Sequence, residues 1–197
     1  MATAIVLSSA CSLLDKENIS VISSDGSSYY PFLGVGHELH YYYDSGSGSD
    51  SMVIKFVSSP SAGTYKAEVS YSPANQTITY YHANGKELYT SSNGNYLQYE
   101  HWWFSPETNV GDFWTRNVPG FLYSYQLVDE NVTVRTPVLH RTFTGCYKIT
   151  GKKFSREGID TIYFKPDMGI VFFDGIESKY ELAYRNFSTP ASFSNPE

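Results

Sequence analysis

Residues 142–184 alternate apolar and polar side chains at a period of two, interrupted only by short runs of Gly, Pro and Asp. In residues 142–150, Phe143, Tyr147 and Ile149 fall on one side and Thr144, Cys146 and Lys148 on the other. Residues 159–165 and 169–174 flank a turn at Pro166, Asp167, Met168 and Gly169, and residues 179–185 alternate again. A repeat of two can bury one face only in extended chain, so this stretch predicts consecutive antiparallel strands with one wet face.

The same pattern extends towards the N-terminus. Strands are expected at residues 39–43, 52–58, 64–71, 76–82, 86–90, 96–104, 113–117, 121–128 and 131–136. Asn84-Gly85 is the sharpest hairpin signal, read as a type I′ turn with both residues at its centre. The polar run DSGSGSDS at residues 44–51 reads as a mobile hairpin connection. No segment carries a helical period. The expected fold is all-β: a single, mainly antiparallel meander forming a bent sheet or open barrel. Pro31, Val35 and Gly36 are echoed by Pro106, Val110 and Gly111, each set leading into a strand, which is the mark of a short internal repeat.

Composition agrees with strands. Aromatic residues make up 17% of the chain, with 18 Tyr and 12 Phe, and these side chains suit pleated surfaces. Charged residues are also only 17%, which points to an exported or surface protein. A formal net charge of −6, with no dense basic cluster, excludes a nucleic-acid surface. No apolar run approaches the ~18 residues of a transmembrane helix.

The segment MATAIVLSSA ends directly before Cys11 and is followed by residues rich in Ser, Asp and Asn. Small residues ahead of that cysteine, with Leu7 one position further out than the usual aliphatic residue, resemble the lipobox of bacterial lipoproteins. The resemblance implies a lipid anchor on Cys11 and residence in the bacterial cell envelope. Residues 1–28 are then a signal remnant and polar tether, 29–186 the β domain and 187–197 a disordered tail. A Cys11–Cys146 disulfide stays open.

Three further motifs occur in order: Tyr30-Pro31 with Val35-Gly36; Pro106 with Val110-Gly111-Asp112-Phe113-Trp114; and Thr142-Phe143 and Cys146 followed by Tyr163 and Gly169-Ile170-Val171. Together they resemble an uncharacterised family of bacterial exported lipoproteins with an antiparallel sheet domain. That resemblance implies a curved sheet outside the cytoplasm and carries over no catalytic residue.

The residues best suited to ligand contact are aromatic. His101, Trp102 and Trp103, with Trp114, Tyr41 and Tyr43, could line a face that stacks on a sugar ring or a protein partner, against the plainer reading of core and cross-strand packing. His37-Glu38-Leu39-His40 lacks metal-ligand spacing, because strand residues three apart face opposite sides. There is no Gly-x-Ser-x-Gly and no phosphate loop. The expectation is a non-enzymatic lipoprotein without metal or cofactor, held to the membrane at Cys11 and binding a carbohydrate or protein on an aromatic face. A hydrolase with an unrecognised site, carbohydrate-active or other, and a structural envelope component are the alternatives.

Overall fold

The computed structural model describes residues 28–72, 75–92, 101–118, 121–155 and 157–188. Twelve strands run through them: β1 (Glu38–Asp44), β2 (Ser49–Ser61), β3 (Thr64–Ser72), β4 (Asn75–Asn84), β5 (Glu87–Ser91), β6 (His101–Phe104), β7 (Phe113–Val118), β8 (Phe121–Arg135), β9 (Thr142–Lys153), β10 (Asp160–Lys165), β11 (Gly169–Asp174) and β12 (Lys179–Arg185). They form one antiparallel sheet in the order β6-β5-β4-β3-β2-β1-β12-β11-β10-β9-β8-β7. Every neighbour is a sequence neighbour except at the centre, where the first and last strands pair. The all-β meander is therefore as expected, and β6 and β7 remain its two free ends among the described residues.

The sheet curls on itself. Nine strand spacings separate β6 from β9, roughly 43 Å in a flat sheet. Yet the ring of Phe104 on β6 lies 4.5 Å from Tyr147 on β9 and 4.9 Å from Phe164 on β10. Only an open-barrel curvature brings these rings together. The concave side holds the core, with Phe56, Ala67, Leu127 and Ile149 at 1% exposure or less.

Bulges interrupt several strand pairs and account for one difference from the sequence pattern. Residues 121–128 and 131–136 read as two strands, but they are continuous in β8. Asn131, at φ 59°, and Gly145, at φ 66°, lie where the β8–β9 register slips, so the strand bends without ending. Asn tolerates this conformation better than most side chains. Pro60 likewise lies in β2 where its register with β3 shifts, the kind of place in a sheet that tolerates a missing N–H.

Two hairpins differ in detail from their sequence expectation. Asn84 pairs with Glu87, which puts Gly85 and Lys86 at the centre of the turn. Of the turn residues, only Gly85 has positive φ, at 60°, the pattern of a type II′ turn rather than type I′. Half of the DSGSGSDS run is strand: Asp44 pairs with Ser49, leaving four connecting residues.

The internal echo has a structural counterpart. Leu33 N–H donates to the Tyr30 carbonyl and His37 N–H to that of Gly34, both at 2.9 Å. Gly36 N–H then bonds Phe56 O at 2.8 Å, and Phe56 N–H bonds His37 O at 3.0 Å. At one constant offset, Thr108 N–H bonds Ser105 O and Asp112 N–H bonds Asn109 O, both at 3.0 Å. Gly111 N–H and Leu127 N–H complete the copy, to Leu127 O and Asp112 O at 2.8 and 3.0 Å. The same loop thus leads into β1 and β7. The first copy carries Phe32 and Leu33, which are buried; the second has Glu107 and Thr108 in their places.

Gly63, at φ 70° in the β2–β3 turn, holds the tightest backbone approach. Its carbonyl accepts the Ala83 N–H at 2.7 Å, and a Cβ there would run into the Ala83 carbonyl oxygen. Gly63→Ala is expected to destabilise the fold by about 2–4 kcal/mol, combining left-handed strain with a displaced neighbour. The urea unfolding midpoint measures it.

Candidate functional site

Strand alternation alone turns Tyr41, Val69, Tyr81 and Tyr180 towards the concave side. There they line an internal cavity of about 190 Å³, together with Phe32, Leu39, Met52, Ile54, Tyr71, Thr79, Leu88, Thr90, Phe164, Gly169 and Ile170. The walls are aliphatic and aromatic, with tyrosine and threonine hydroxyls as their polar groups. A dry apolar cavity of about 150 Å³ is enough to bind benzene. This one has room for a ring and a short substituent.

One end of the interior is plugged. Hairpin turns alternate between the two ends of a meander, so the segment leading into β1 lies at the end shared by the β4–β5 and β10–β11 turns. From there Phe32 inserts, with its ring 6.1 Å from Phe56, 6.3 Å from Phe164 and 6.4 Å from Tyr81. Tyr30 locks the segment by donating its hydroxyl to the Lys86 carbonyl. At the other end, Tyr43 meets Tyr71 edge to face at 5.3 Å.

The tyrosines form one electrostatic group. Burial, and then the neighbouring Tyr81, raise the Tyr41 hydroxyl well above its usual range. Tyr180 is raised by burial first, then by Tyr41, Tyr81, Tyr71 and Tyr125. Tyr81 is raised by burial and Tyr71, and Tyr71 by burial and Tyr43. The cavity therefore holds neutral phenols, able to donate or accept a hydrogen bond but not to carry charge.

Of the ligand residues expected from the sequence, the described side chains of Tyr41, Tyr43 and Trp114 line three different spaces. Tyr41 is 2% exposed and lines the cavity, while Tyr43 belongs to the rim. Trp114 lies at the plugged end, in a basin of about 480 Å³ with Glu87, Ser105, Glu107, Thr108, Gly111, Asp112 and Phe113. The side chains of His101, Trp102 and Trp103 lie outside the described residues, as does Cys11. Tyr71, Tyr81 and Tyr180 were not among the ligand residues expected from sequence; their alternation within β3, β4 and β12 is the signal that places them inside.

The His37-Glu38-Leu39-His40 segment sends its imidazoles to different partners. His37 stacks on Phe187 at 4.5 Å, while His40 Nε2 and Lys55 Nζ each lie 3.0 Å from the Glu38 carboxylate. Hydrogen bonds from Lys55 and then His40 hold that carboxyl below its usual range.

Cys146 is a free thiol on the outer face, fully buried beside Lys165 and Asp167. Burial pushes its pKa to about 11, so the thiol is protonated and unreactive at neutral pH. On the same outer face, buried Glu181 accepts the Val138 N–H at 2.9 Å and the Leu139 N–H at 2.8 Å. The β8–β9 loop is thereby fastened over the sheet.

His82 forms a second buried polar group. Its Nδ1 lies 3.2 Å from Thr64 Oγ1 and its Nε2 2.7 Å from Ser91 Oγ, clamping β3, β4 and β5 together. Burial lowers its pKa from 6.5. The folded state therefore resists a proton that the unfolded state accepts. Stability is full above pH 6.5 and falls as pH drops from there towards the lowered folded value, then levels. Thermal melts between pH 7.5 and 5 are expected to show this slope, and His82→Asn to flatten it.

Compared with protein-family models, with curated proteins and with solved structures, the chain finds no match. What defines its class is its own geometry: an open, curled antiparallel meander around a tyrosine-rich apolar cavity.

Proposed function

We propose that this chain is a non-enzymatic lipoprotein of the bacterial cell envelope that binds a small, largely apolar ligand inside its curled sheet. The supporting observation is the partly open cavity of about 190 Å³, lined by aliphatic and aromatic side chains. Its neutral tyrosine hydroxyls supply the few polar groups that orient a ligand in an otherwise apolar site. The lipid anchor at Cys11 and the export that goes with it rest on the lipobox-like segment before that residue.

Thermal shift with benzene and indole tests the binding. A ligand at one hundred times its Kd adds about 2.7 kcal/mol to the stability of the protein it occupies. Val69→Phe, which fills the cavity from β3, is expected to abolish the shift while keeping the strand signal in circular dichroism. Absence of any shift in the native protein rejects the reading. The anchor is tested by intact mass after expression in a bacterial host, where an unmodified Cys11 removes it.

A carbohydrate reading has one observation in its favour. The basin at the β6–β7 connection joins the exposed Phe113 ring and Trp114 to Glu87, Glu107 and Asp112. Beneath it the buried Thr108 hydroxyl has no hydrogen-bond partner among the described residues. Saccharide titration of Trp114→Ala against the native chain separates this reading from the interior one.

A further inference from the structure

Beyond the inner cavity lies a second compartment. A basin of about 690 Å³ opens at the rim between the β1–β2 and β3–β4 hairpins, lined by Tyr43, Ser45, Ser49, Asp50, Asn75 and Gln76 among others. Tyr71 lines both spaces, half-buried, and so stands as the partition between them. Inside the partition the walls are apolar. Outside they are hydroxyls, amides and backbone, and the one full charge is the exposed Asp50 carboxylate.

Its surroundings reinforce that sign. Asp44 stands at the base of the same hairpin, with its carboxylate accepting the Gly46 N–H at 2.7 Å. Lys179, which faces Asp44 across the β1–β12 pair, is held by Asp174 at 2.7 Å. The chain as a whole carries −6.

From this pairing of compartments we infer that the ligand is an amphiphile with a neutral or cationic head. Its apolar body occupies the inner cavity, and its head group passes Tyr71 into the basin beside Asp50. An anionic head, such as a carboxylate, is disfavoured there by charge, and it cannot retreat into the cavity without losing its hydration. The inference rests on the interior reading above and adds the class of molecule to it.

Four probes with a common ring separate the two claims: benzene, 2-phenylethanol, 2-phenylethylamine and 3-phenylpropionate, titrated calorimetrically into the full chain. All four are expected to bind, the anion most weakly. The amine is expected to exceed the propionate by about fivefold or more at low salt, the scale of one exposed charge contact at each sign. That gap should shrink with added salt and in Asp50→Asn, a surface change that leaves the cavity walls untouched. If benzene binds and the three heads are indistinguishable, or the anion binds tightest, the inference is overturned and the cavity reading survives. If benzene fails as well, both fall.

Discussion

Phe32→Ala is expected to cost about 3–5 kcal/mol, the range for removing a buried aromatic ring from a packed core. Phe32 is 2% exposed and touches the rings of Tyr30, Phe56, Tyr81 and Phe164. It also forms the floor of the inner cavity. The truncation should therefore do two things at once. Chemical denaturation should show the lost stability, and ligand titrations should show a preference moved towards longer molecules, since the vacated ring volume adds to the existing void. Phe32→Leu retains much of the volume and should recover most of the stability. A loss below about 1 kcal/mol would mean that the segment leading into β1 is not a plug, because only exposed or collapsible sites are that tolerant.

The second large effect is expected at Glu181→Ala. Glu181 is 2% exposed, and each of its carboxylate oxygens accepts a backbone N–H from the β8–β9 loop. Removing the acceptor orphans two amides at once. Hydrogen bonds to a charged partner are worth about 1.5–3 kcal/mol each, so a total of about 3–6 kcal/mol is expected if the loop stays in place. If the loop lifts instead, the amides find water and the cost falls. Hydrogen exchange at Val138 and Leu139 then rises sharply while the sheet stays protected. Glu181→Gln keeps the shape and one good acceptor, and should fall between the two.

Most of the sheet was legible in the chain. Strict alternation around Tyr65, Ala67, Val69 and Tyr71 declared β3, and the same pattern at Tyr180 and Leu182 declared β12, because a strand's side-chain period is a local property. Asn84-Gly85 marked its hairpin, although the turn centre lies one residue further on. The second half of β8 was misread as a separate strand, since Asp129, Glu130 and Asn131 look like a turn. In the fold Asn131 instead takes a left-handed conformation within a bulge.

The candidate site was less legible. Aromatic residues announced ligand contact, but sequence could not say which of them share a space. Trp114 and Tyr43 belong to basins at opposite ends of the curled sheet, whereas Tyr41 and Tyr180 meet edge to face at 5.3 Å although strands β1 and β12 are the first and last in the chain. The expectation of one wet face also met a limit. Cys146 and Glu181 lie on the outer side and are nonetheless buried.

From the chain alone one reads an antiparallel meander, a short echo of one loop and, wherever no bulge intervenes, which residues share a side of a strand; the bulge at Gly145 puts Phe143 on the side of Cys146 instead. Those properties follow from backbone sterics and nearest neighbours, which a linear pattern records. Only packing in three dimensions decided that β1 pairs with β12, that the sheet curls until Phe104 reaches Tyr147, and that a cavity survives on its concave side. Curvature and voids are set by packing among residues far apart in the chain. The site exists only once that packing is complete.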